Sequence, residues 1–74
     1  MKVRITFPDG KSYTYDVKLK RGMTIDDIVD QILDQMLEAY SKTHTVKDPE
    51  AWKEAHRRWL LAHIYEALLE QIFG

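Results

Sequence analysis

Cysteine is absent from this chain, and that removes two of the devices small proteins use to hold themselves together. No disulfide can form and no thiolate metal site is available, so an apolar core or a partner must supply the stability. A chain of 74 residues buries only about 60–65% of its unfolded surface, which makes the demand acute. Long apolar runs are missing too. The longest is Trp59–Ala62, far short of a membrane span. The opening "MKVRITF" lacks the apolar stretch of an export signal, so the expected location, for a natural protein, is the cytoplasm. Net charge is −1, so no overall field draws the chain to nucleic acid or membrane. Its three glycines are scattered, which excludes a phosphate-cradling loop or a dinucleotide fingerprint.

What is present is charge sorted by segment. Residues 1–23 carry six basic and two acidic groups. Residues 24–41 hold five acidic ones (Asp26, Asp27, Asp30, Asp34, Glu38) and no basic one. Residues 42–58 return to five basic against three acidic. Successive elements should therefore attract one another.

Two stretches alternate with period two. In "VRITF", Val3, Ile5 and Phe7 face one way; in "SYTYDVKL", Tyr13, Tyr15, Val17 and Leu19 do the same. They predict strands over 2–7 and 11–19. Between them "PDG" suits a three-residue hairpin loop, with Gly10 in the left-handed conformation. That loop sets Ile5 opposite Tyr13 and Val3 opposite Tyr15, which keeps the apolar residues on one face. "MTIDDI" then opens a helix over 24–41. Thr24 is its N-cap, Asp27 reaches back to it, and Met23 and Ile28 form a hydrophobic staple. "SKTHTVK" contains neither Gly nor Pro, and its residues do not specify a conformation. "DPEAW" starts a second helix over 48–73, with Asp48 as N-cap and Pro49 at the first helical position.

The fold class that follows is α+β in the order ββαα, a two-stranded antiparallel hairpin packed against two antiparallel helices in a single domain. The expected core is Val3, Ile5, Phe7, Tyr13, Tyr15, Val17, Ile28, Ile32, Leu33, Met36 and Trp59, with some of Leu61, Ile64 and Leu68.

The second helix carries more apolar surface than one face requires. Trp52 and Trp59 share one side of its first half. In the second half Leu61, Ile64, Leu68 and Ile72 lie largely opposite, and Tyr65, Leu69 and Phe73 widen the arc. A helix apolar nearly all round must be covered nearly all round. Either it crosses the hairpin so that both surfaces are used internally, or a partner covers the excess. The second arrangement is the expectation adopted here: a homodimer or higher symmetric oligomer, or another protein, held through Trp52, His56, Leu61, His63, Ile64, Tyr65, Leu68, Leu69, Ile72 and Phe73.

No catalytic constellation, cofactor motif or metal-ligand set is expected. His56 and His63 are seven apart, about 10 Å along a helix, too far to share one ion. At an interface edge their titration would make assembly pH-sensitive. A nucleic-acid module stacking bases on Trp52 and Trp59 beside Lys53, Arg57 and Arg58 is the competing reading, and the slightly acidic balance argues against it.

"KVRITFPDGKSYTYDV" followed by "MTIDDIVDQI" resembles the N-terminal ββα half of the ubiquitin-like β-grasp fold, over residues 1–34. That resemblance implies a small scaffold that binds other proteins. The pattern departs after residue 41, where no further strands follow, and "QIFG" does not match the family's Gly-Gly tail, so conjugation chemistry is not implied. The regular placing of turns and caps also resembles a de novo designed protein, which implies a designed oligomer with no natural biological role.

Overall fold

The computed structural model describes residues 1–74. Strands β1 (Lys2–Thr6) and β2 (Ser12–Asp16) form an antiparallel hairpin, followed by helices α1 (Ile25–Ser41) and α2 (Pro49–Phe73). The fold is α+β, ββαα.

The hairpin register follows from the loop. The Phe7 N–H donates to the Lys11 carbonyl at 2.9 Å and the Gly10 N–H to the Phe7 carbonyl at 2.9 Å. Gly10 takes φ +85°, and the Asp9 carboxylate accepts from the Lys11 N–H. A type I turn closed by a left-handed residue adds one residue to the second strand, which is what pairs Ile5 with Tyr13 and Val3 with Tyr15.

β2 stops at Asp16, short of the expected 19. Met1 and Val17 still exchange backbone hydrogen bonds. The Lys18 N–H and carbonyl go instead to the Gln31 side chain on α1. The chain thus leaves the ladder for the helix, and Leu19 is 52% exposed rather than facing inward.

Both helix starts use the expected residues. The Thr24 hydroxyl accepts from the Asp27 N–H while the Asp27 carboxylate accepts from the Thr24 N–H. The Asp48 carboxylate accepts from the Ala51 N–H, with Pro49 leading the helix. The helices run antiparallel, since Lys53 meets Asp34 while Arg57, one turn further on, meets Asp30, one turn further back.

Nine residues are buried: Val3, Ile5, Val17, Ile28, Val29, Ile32, Leu33, Leu60 and Leu68. Phe7, Tyr15, Met36, Trp59, Leu61 and Ile64 pack around them, half-buried. Tyr13 departs from expectation. It is 48% exposed, because at the turn end of the hairpin its ring meets only the edge of Phe7 and otherwise lines an open groove.

A lone hairpin has two open edges, a standing invitation to other strands. Here glutamines cover part of each. Gln71 of α2 donates to the Arg4 carbonyl and accepts from the Arg4 N–H, both at 2.8 Å. On the other edge Gln31 serves Lys18, and Gln35 donates to the Asp16 carbonyl at 2.7 Å. Gln71→Leu should therefore speed amide exchange at Arg4 and cost about 1 kcal/mol. Unchanged exchange at Arg4 would show that the side chain does not close the edge.

Candidate functional site

α2 is the element with apolar surface to spare, and three different surroundings meet its sides. The inward row is Leu60, Ile64 and Leu68, continued by Gln71 at the β1 edge and flanked by Lys53 and Arg57. The second side carries Trp52, His56, Trp59 and His63. The third faces away from the core and carries Ala51, Ala55, Arg58, Ala62, Tyr65 and Leu69; all but the half-buried Leu69 are exposed.

The cations on the inward side are spent within the chain. Lys53 Nζ lies 2.6 Å from an Asp34 oxygen. Arg57 bonds Asp30, and it reaches Asp26 and Glu54 at 3.8 Å each. This is the attraction between the acidic and basic segments read from the charge pattern. The Asp34 bond holds the Lys53 ammonium charged to higher pH than an ordinary lysine, outweighing its partial desolvation. Its folded pKa lies above the unfolded one, so its stabilisation is fully present below the unfolded value and disappears as the pH rises through the folded value. Asp34 is largely solvated, which keeps the pair near 0.2–1 kcal/mol. Lys53→Met should lower stability by about that much at neutral pH. The difference from the parent should begin to shrink as the pH passes the ordinary lysine value of 10.5 and close as the pH rises through the higher folded value. Urea melts at pH 7 and at high pH check this, and a gap that persists in alkali would contradict it.

The second side forms a chain of rings. Trp59 stacks on Phe7 with centroids 5.6 Å apart and on His63 at 4.9 Å. Trp52 stacks on His56 at 3.9 Å and leans on Tyr40, which stacks in turn on His44. The Trp59–Phe7 and Trp52–Tyr40 pairs contribute about 0.5–1.5 kcal/mol each beyond their buried area. His56 Nδ1 bonds the Trp52 carbonyl and His63 Nδ1 the Trp59 carbonyl, each one turn back. Tyr13, Tyr15, Met36, Tyr40, Trp52 and His56 line an open groove of about 450 Å³ beside Phe7. Burial, with a smaller effect from nearby Tyr13, holds the Tyr15 phenol protonated above the usual tyrosine range.

The structure divides the ten residues expected at an interface. Leu68 is 1% exposed and belongs to the chain's own core. Leu61, Ile64 and Ile72 pack partly against that core. Trp52, His56 and His63 belong to the ring chain on the second side. Tyr65 and Phe73 are exposed at 43% and 76%, and Leu69 sits half-buried between them. Internal coverage of both the Trp side and the Leu60–Leu68 side thus accounts for much of the apolar arc. Ala51, Ala55, Arg58 and Ala62 were missed as outer-face residues. Their alternating three- and four-residue spacing, continued by Tyr65 and Leu69, was the available signal.

Fold and surface together define a small ββαα α+β protein with one apolar helix face turned to solvent, in which no helix is long and apolar enough to cross a membrane. No protein-family model matches the chain, and no curated protein or solved structure matches it.

Proposed function

We propose that this is a non-enzymatic interaction module that associates with a second copy of itself through the outer face of α2. The observation that carries the reading is the row Tyr65–Leu69–Phe73, which sits on the side of α2 away from a core that is already closed. Apolar surface left over after the core is complete marks an interface. A net charge of −1 leaves little repulsion between copies. The even placing of caps, turn and edge-closing glutamines supports a designed origin, with assembly as the purpose. The competing nucleic-acid reading is weakened, because Lys53 and Arg57 are held by α1 carboxylates and both indoles are stacked on other rings.

Amide chemical shifts followed on dilution test the reading. Shifts at Ala62, Tyr65 and Leu69 should move together, while those of Val3 and Val29 stay still. Movement confined to the groove around Phe7 and Trp52, or none at all, would overturn it.

A further inference from the structure

The outer face of α2 is built unevenly along its length. Its first half presents the methyl groups of Ala51 and Ala55, its middle that of Ala62, and its second half presents Tyr65, Leu69 and Phe73. Positions 51, 55, 58, 62, 65 and 69 are spaced four, three, four, three and four apart, the rhythm of a seam between two helices. At 25 residues and about 1.5 Å per residue the face is about 37 Å long.

Accepting self-association through this face, we infer that the two copies of α2 pack antiparallel, about a two-fold axis close to Ala62. A two-fold contact sets the same patch against itself. With Ala62 near the axis, Ala55 lies level with Leu69 of the second copy, and Ala51 with Phe73 of the second copy. Phe73 and Leu69 then stand over Ala51 and Ala55 at each end of the seam, with Ala62 on Ala62 at its centre, which lets the helices approach closely. Running the copies parallel would set alanine on alanine in one half and Tyr65, Leu69 and Phe73 against themselves in the other, so a gap would open at one end.

Arg58 decides between the two arrangements independently. It is the charged residue on the seam; its side chain is 81% exposed, and its Nε lies 3.4 Å from a Glu54 oxygen one turn back on the same helix. A parallel pair places Arg58 against Arg58 of the second copy. The antiparallel pair separates the two guanidiniums by eight residues, about 12 Å along the axis. It also brings each within one residue of the level of Tyr65 on the same side of the other copy, where a cation lies well against an aromatic ring. A single helix strip is small beside the roughly 800 Å² per partner of a standard interface, so the association is weak and varies with concentration.

Cysteine pairs read the arrangement directly, since the chain has no other cysteine. Ala55→Cys and Leu69→Cys chains are mixed and oxidised gently. The antiparallel pair predicts the mixed disulfide as the dominant product. Each homodisulfide would have to bridge fourteen residues, about 21 Å, whereas the two Cα atoms of a disulfide lie within about 7 Å. Parallel packing predicts the reverse, homodisulfides with the mixed product lost, and would overturn the antiparallel arrangement alone. Ala62→Cys is the control, because it cross-links to itself under either arrangement. If it does not cross-link and the parent's light-scattering mass stays at 8.8 kDa, self-association itself fails. A dimeric mass with no cross-link at any of the three positions would place the contact on another face and overturn both.

Discussion

Leu68→Glu should unfold the protein, and Leu69→Glu should leave it folded. The two residues are neighbours in sequence but point about 100° apart around α2. Leu68 is 1% exposed, wedged between hairpin and helices, and Leu69 lies on the outer side. A carboxylate at 68 would lose its hydration on entering the apolar core, a cost of at least about 4 kcal/mol. A domain of 74 residues has roughly 4–11 kcal/mol in total, at about 0.05–0.15 kcal/mol per residue. The expected result for Leu68→Glu is loss of the cooperative thermal transition and of tyrosine and tryptophan near-ultraviolet dichroism. Leu69→Glu should keep both and shift the mass distribution to monomer. Two folded variants, or two unfolded ones, would mean that the faces of α2 have been assigned wrongly.

The second large effect separates the true core from the alternation pattern. Leu33 is fully buried on α1, and Leu33→Ala should cost about 2–5 kcal/mol, the loss of transfer energy plus the cavity left behind. For a domain this size that is a fall in Tm of about 8–40 °C. Leu19→Ala is the counterpart. Alternation places Leu19 on the inner face of the second strand, but it is 52% exposed because Lys18 has already turned to Gln31. Its substitution should change stability by no more than about 0.5 kcal/mol. Thermal melts of the two variants under one set of conditions decide the matter. A Leu19→Ala cost near that of Leu33→Ala would mean that the strand continues to residue 19.

The parts of this fold that were legible are those in which a local rule acts alone. "PDG" permits one loop geometry, and that geometry fixes which residues face across the hairpin. Thr24 with Asp27, and Asp48 with Pro49, each satisfy the open N–H groups of a helix start within a few residues. The sorted charge was legible too, because Lys53 and Arg57 meet the α1 aspartates that their segments oppose. Gln31, Gln35 and Gln71 were not legible. A glutamine reads as an ordinary solvated residue until a strand edge is known to lie beside it. The division of α2 was only half legible, for the same kind of reason. Its wheel shows too much apolar surface, but which part becomes core depends on where Phe7, Tyr40 and β1 come to rest. Leu68 and Leu69 carry the same side chain, and only the crossing of α2 over the hairpin separates their roles.

If the outer face of α2 is a self-interface, the light-scattering mass of the parent chain must depend on concentration across a dilution series. Self-association predicts a mass approaching twice 8.8 kDa at high concentration that falls toward 8.8 kDa on dilution. It also predicts that Leu69→Glu stays at the lower value throughout. A mass of 8.8 kDa for the parent at every concentration, into the millimolar range, would contradict it.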